Sequence, residues 1–179
     1  MSPTAAAEHV SKTLILGLGN ALRGDDGIGL AVLEQLKDCR FPAGTTLIDG
    51  GTGGLEITLE FVGKDRVLIV DSARFGGHPG EIRRFDLLVT PLPSACWGQG
   101  HAHGLVAAIE LAQALSVLPE QLLLFAIEPT AIETPMCLSP LVEQAIPQVV
   151  SAVIAELALP IAKAPTGPVG VDTCRNLRS

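Results

Sequence analysis

Three short apolar runs, each closing on glycine or aspartate and each separated from the next by helix-compatible chain, constrain this sequence most. Thr13 to Leu18 enters Gly17-Leu18-Gly19, and Gly27 to Lys37 follows with Ile28, Leu30, Ala31, Leu33 and Leu36 spaced for one helix face. Thr45 to Ile48 and Arg66 to Val70 read as two more buried strands, followed by Asp49 and Asp71, with a helix expected from Leu55 to Val62 between them. Strands alternating with helices imply crossover connections, and crossovers imply a parallel sheet.

The second half extends the pattern. Glu81 to Leu87 alternates weakly after the turn residues Gly76, Gly77, Pro79 and Gly80, and is expected as an added, antiparallel strand. Gly104 to Leu115 predicts a helix, Gln121 to Ile127 a strand, and Pro140 to Leu157 a closing helix that Pro147 would bend from inside. The predicted fold is therefore a single α/β domain over residues 1–159, a twisted, mostly parallel five-stranded sheet between helices. Residues 160–179 hold three Pro and two Gly without periodicity and are expected as a flexible tail. A chain of 179 residues suits one domain that buries roughly 70% of its unfolded surface.

Composition removes several function classes. A net charge of −7 repels phosphate backbones, and five Phe, one Trp and no Tyr leave little to stack on bases, so no nucleic-acid partner is expected. Leu138 to Ala162 is the longest apolar-looking stretch, but Glu143, Gln144, Pro147, Gln148 and Glu156 interrupt it, so it predicts a packed helix and no membrane insertion. Met1 to Val10 shows no basic segment leading into an apolar run, hence a cytoplasmic expectation. Cys39, Cys96, Cys137 and Cys174 form no Cys-x-x-Cys pair, which argues against a zinc knuckle or redox motif and for buried thiols.

The loop from Gly17 to Gly27 joins a strand to a helix, where open α/β sheets place their ligands. A dinucleotide site fits it poorly: the third glycine of G-x-G-x-x-G falls on Leu22, and Asp25 and Asp26 stand where a pyrophosphate would bind. Asp49 could still mimic a ribose-binding acid, which keeps a dinucleotide-binding enzyme as a minor alternative. Capping explains one of the adjacent acids; a second adds repulsion unless something positive binds. Asp71 should converge on the same crevice from the end of its strand. His101 and His103 lie in the glycine-rich segment Gly98 to Gly104 just before the expected helix. Carboxylates and an imidazole from three loops form an N/O donor set for Zn²⁺, Ni²⁺, Fe²⁺ or Mn²⁺, with positions left open for water or substrate.

At these residues the chain resembles the nickel-iron hydrogenase maturation endopeptidases, which trim a C-terminal extension from the hydrogenase large subunit after nickel insertion. The similarity runs from Leu14 to about Ile146. It rests on the Gly-x-Gly-Asn pattern with its acidic pair in Gly17 to Gly29, the Asp-Gly-Gly-Thr segment Asp49-Gly50-Gly51-Thr52, the strand-end Asp71, and His101-Ala102-His103-Gly104. The resemblance implies Asp26, Asp71 and His101 as metal ligands and catalytic residues, with His103 the competing choice. It implies a nickel-loaded large-subunit precursor as partner, and nickel, held by the precursor or at the site, as the metal, with zinc or another divalent ion the alternative. Asp49, Gly50, Gly51 and Thr52 are the expected substrate-binding segment, where glycines let a peptide approach the backbone.

No Gly-x-Ser-x-Gly elbow or His-Glu-x-x-His helix is present, so metal-assisted peptide hydrolysis is the expected mechanism. Cys96 sits in a Pro-rich stretch rather than at an evident helix start and makes a poor nucleophile. The rival class is a chaperone-like module that recognises the nickel-loaded precursor without cutting it.

Overall fold

A computed structural model describes residues 10–90, 101–130 and 137–161, with the backbone alone for residues 101–103. Its elements are β1 (Thr13–Gly17), a 3₁₀ turn (Gly24–Gly27), α1 (Ile28–Leu36), β2 (Thr45–Asp49), α2 (Ile57–Glu60), β3 (Arg66–Ser72), β4 (Ile82–Asp86), α3 (His101–Ala114), β5 (Gln121–Ile127) and α4 (Pro140–Leu157). The five strands form one sheet in the order β2-β1-β3-β5-β4. All pairings are parallel except β4 with β5. The predicted fold is the observed one.

Side-chain alternation along the central strands builds two cores. Leu14 and Leu16 of β1, Val67 and Ile69 of β3, and Leu122 and Leu124 of β5 pack with Ile57 and Phe61 and with Leu105, Ala108, Ile109 and Ala112 of α3. The alternate residues Ile15, Leu68, Val70, Leu123, Phe125 and Ile127 pack against Ile28, Val32, Leu33 and Leu36 of α1 and Val142, Ile146, Val149 and Val153 of α4. Two covered faces explain why β3 and β5 read as unbroken apolar runs rather than as alternating ones.

Several local expectations need correction. The strand expected to stop at Val70 continues through Ser72, because Asp71 and Ser72 still pair with Ala126 and Ile127 of β5. β2 is half-exposed rather than buried, since it lies at the sheet edge. The helix expected over 55–62 is one regular turn, Ile57–Glu60, flanked by bonds from Ile57 N–H to the Gly54 carbonyl and from Val62 N–H to the Leu59 carbonyl. The third helix opens at His101, three residues before Gly104. Pro147 does lie inside α4, on its exposed side, and the carbonyl of Pro147 accepts the Ser151 hydroxyl at 2.9 Å. Cys39 is half-buried and Cys137 exposed, so neither is the buried thiol expected of it. Of the expected tail, only Pro160 and Ile161 fall within the described residues, and Cys96 and Cys174 fall outside them.

Candidate active site

β1 pairs with β2 on one side and β3 on the other, so the chain leaves β1 in one direction and later returns past it. Such a reversal opens a crevice at the carboxyl ends of β1 and β3. The first loop is pinned there by main-chain bonds: Leu18 N–H donates to the Val70 carbonyl at 2.9 Å, and Gly19 N–H to the Gly51 carbonyl at 2.7 Å. Two glycines make this approach feasible. A Cβ on Gly29 would run into the Leu18 and Val70 carbonyls, and Gly19 has φ +128° with the Asp26 carbonyl against it. Larger residues would lift α1 off the strand ends.

Asp25 and Asp26 are both buried, yet they do different work. Asp25 reaches across the molecule: its Oδ1 accepts Ser139 N–H at 2.6 Å, and its Oδ2 accepts Thr130 N–H at 2.8 Å and the Ser139 hydroxyl at 3.0 Å. It thereby fixes the residue that precedes Pro140 at the start of α4. The residues at the cap positions of the 3₁₀ turn and α1 are Arg23 and Gly27, neither with a side-chain cap bond, and Asp25 bonds instead across the molecule. Asp26 instead accepts Asn20 N–H at 2.9 Å and faces the Ser72 hydroxyl at 3.5 Å, which turns its carboxylate towards the end of β3.

Asp71 belongs to the same row as Val67 and Ile69, on the sheet face that α3 covers. It is 5% exposed, and its Oδ1 is buried without a hydrogen-bond partner. Burial pushes its carboxyl well above the usual carboxylate range, the negative charge of Asp26 pushes it further, and the Ser72 N–H opposes both. An unpartnered buried acceptor costs about 1–3 kcal/mol, and purely structural positions rarely keep one. A cation or a shared proton would remove both the repulsion and the orphaned acceptor.

The third expected ligand comes from α3. Its first turn sits beside the β2 loop, where a Cβ on Gly104 would strike the Gly53 carbonyl, and Gly53 in turn packs near Leu18. The backbone of His101 therefore starts at the crevice, while its side chain and that of His103 are outside the described residues. Among the described residues the acid pair supplies two oxygen donors, and no third His, Cys, Asp or Glu side chain joins them. Two carboxylates with one orphaned oxygen fit a divalent ion that a nitrogen donor would complete.

The expected substrate segment lies alongside. Asp49 is exposed, and its Oδ1 accepts Gly51 N–H at 2.8 Å, which shapes the turn Gly50 to Gly53. Thr52 is exposed, and Gly50 N–H donates to the Gly17 carbonyl at 2.9 Å. Sequence reasoning missed Glu128. That residue is buried at the end of β5, and its Oε2 accepts Phe75 N–H at 2.8 Å and Gly77 N–H at 3.0 Å, holding the chain that leaves β3. Its signal was an acid directly after an apolar strand, the same feature that singled out Asp49 and Asp71.

A doubly wound sheet with a buried acid pair at its switch point and the start of α3 beside it defines an α/β protein with a ligand crevice at its strand ends. The family model described as hydrogenase maturation protease, HycI, matches residues 30–156. The delta subunit of coenzyme F420 hydrogenase from Methanothermobacter thermautotrophicus is 29% identical over 83% of this chain and 96% of its own. The hydrogenase expression/formation protein HupM of Azotobacter chroococcum is 33% identical over 67% of this chain, which spans 58% of that longer relative. Among solved structures, the hydrogenase maturating endopeptidase HybD of Escherichia coli superposes with a TM-score of 0.70 at 26% identity, covering 82% of this chain and 91% of that one. The chain belongs to the hydrogenase maturation protease family, and it is a peptidase with a role in hydrogenase maturation. No helix among its described residues is long and apolar enough to cross a membrane.

Proposed function

We propose that this protein is the endopeptidase that removes the C-terminal extension of a nickel-iron hydrogenase large-subunit precursor once nickel has been inserted. The observation that carries this reading is the buried Asp71 carboxylate, with one oxygen unpartnered, beside Asp26 at the switch point of a hydrogenase maturation protease. Asp26, Asp71 and His101 form the ligand set, and the precursor's own nickel is the first choice of ion, with zinc or another divalent metal as a resident alternative. Such an ion would polarise the scissile carbonyl and lower the pKa of attacking water.

The chain's own groups do the rest. Asn20 N–H and the Ser72 hydroxyl orient Asp26. One carboxylate of the pair accepts the proton of the attacking water and returns it to the leaving amine as the carbon–nitrogen bond breaks. Burial, and after it the neighbouring Asp26, raises the proton affinity of Asp71, which suits that task. Asp49, Gly50, Gly51 and Thr52 receive the peptide beside the cut.

Intact-mass measurement of a large-subunit precursor, nickel-loaded and nickel-free, tests the reading. Loss of one C-terminal peptide from the loaded form alone is expected. An unchanged mass in a stable complex would instead make the protein a recognition module, and equal cutting of both forms would remove nickel from the mechanism.

A further inference from the structure

β2 is an edge strand whose last residue opens the Gly50 to Gly53 turn, so its free side leads into the candidate site. Bond directions along it can be assigned. Thr13 N–H donates to the Gly44 carbonyl, and Gly50 N–H donates to the Gly17 carbonyl. Even-numbered residues of this strand therefore face β1. Because successive residues of a strand point to opposite sides, the N–H and C=O of Leu47 and Asp49 face outward. The Thr45 C=O does too, while its N–H turns back to the Pro42 carbonyl at 3.2 Å. No described strand pairs with this side.

The two edges of the sheet are treated differently. β4 carries Arg83, paired with Glu81 and stacked over Phe75, and Arg84, paired with Glu156. Charged side chains of this kind blunt an edge against further pairing. β2 reads Thr-Thr-Leu-Ile-Asp, with no proline and no charge before Asp49. Lys64 reaches it only through the Thr46 hydroxyl, at 3.5 Å. An edge of high strand propensity on which no described strand lies, in a protease whose substrate is a polypeptide, is suited to main-chain recognition.

We propose that the outer edge of β2 binds an extended segment of the hydrogenase precursor by strand addition, through the main-chain groups of Leu47 and Asp49, and feeds it over Gly50 to Gly53 to the acid pair; this rests on the endopeptidase reading above. Strands lie about 4.8 Å apart, so an added strand stands roughly 14 Å from β3, a span of about four to five extended residues. The docked segment is thus separated from the cut by about that many residues. Because main-chain bonds carry the affinity, sequence tolerance at the docked positions follows.

Amide hydrogen exchange on the Asp71→Asn protein, alone and with nickel-loaded precursor, tests the proposal, with cleavage by the unsubstituted protein scored separately by intact mass. Leu47 and Asp49 amides are expected to exchange at least tenfold more slowly in the complex, while Thr46 and Ile48 amides, which face β1, are protected in both states. Unchanged exchange at Leu47 and Asp49 in a complex that the unsubstituted protein cleaves overturns edge docking and leaves the protease reading standing. Slowed exchange without any cleavage keeps edge docking and overturns the protease reading; neither effect overturns both. As a second measure, Leu47→Pro removes one outward N–H and should raise KM about tenfold or more with kcat retained, whereas an unchanged KM in the folded variant contradicts the proposal.

Discussion

Adjacent aspartates at 25 and 26 show how little a side chain's identity says about its task. Asp25 ties the first loop to Thr130 and Ser139, whereas Asp26 is oriented towards the end of β3. Asp25→Ala should cost about 2–3 kcal/mol, roughly a 5–10 °C fall in melting temperature, because its charge-assisted bonds have no substitute. Asp26→Asn keeps an oxygen for Asn20 N–H, so it should melt closer to the parent while processing stops. Thermal melts and a processing assay on both variants check this, and the opposite ranking would exchange their roles. Asp71 adds a pH signature. Its folded-state carboxyl is raised, so the folded protein holds a proton that the unfolded chain has released, and stability falls as pH rises from the ordinary aspartate value of 3.8 through the folded value. Below that window the penalty vanishes; above it the penalty is complete. Melting temperatures of the metal-free parent and of Asp71→Asn should therefore converge in acid and diverge towards neutral pH, with the variant the more stable. The candidacy of Asp26 and Asp71 was legible from loop position and a strand end. The division of labour between 25 and 26 was not, because the partners of Asp25 lie more than a hundred residues away in sequence.

At the scale of elements, legibility followed the strength of local pattern. β5 and α4 fall where periodicity and flanking turn residues put them, from Gln121 to Ile127 and from Pro140 to Leu157. β3 overran its apolar run because ladder bonds to β5 continue past Val70, a tertiary effect that no side-chain pattern announces. α3 began early for a related reason: glycine and histidine are weak helix formers, and His101 to Gly104 is helical beside the Gly53 loop despite them. That early start puts residues 101 and 103 in the first turn of α3, with their backbone positions about 200° apart around its axis. His101→Ala should lower processing by orders of magnitude, and His103→Ala should retain measurable activity, as read from rates of product formation. Equal loss in both would contradict a single helical ligand, and the reverse order would move the ligand to His103.

For the whole molecule, stability and chemistry are held in different regions. Far from the crevice, Glu156 is 7% exposed at its side chain and holds Arg84 at 2.9 and 3.1 Å, while Arg66 donates to the carbonyls of Glu156 and Leu159 at the end of α4. Burial lowers the pKa of Arg66, and the nearby Glu156 charge opposes that shift. This cluster anchors α4 to the amino-terminal end of β3, and Asp25 and Glu128 anchor loops at the other end. Such bracing lets the switch point carry an acid pair whose repulsion would loosen a less constrained loop. Asp71 is retained for processing at a cost in stability. The most direct test measures the intact mass of nickel-loaded precursor after incubation with the parent protein or with Asp71→Asn, alongside the melting temperature of each metal-free protein at neutral pH. The predicted result is loss of the C-terminal peptide with the parent only, together with a variant that melts at or above the parent temperature. Normal cleavage by Asp71→Asn, or a variant that unfolds well below the parent, would contradict it.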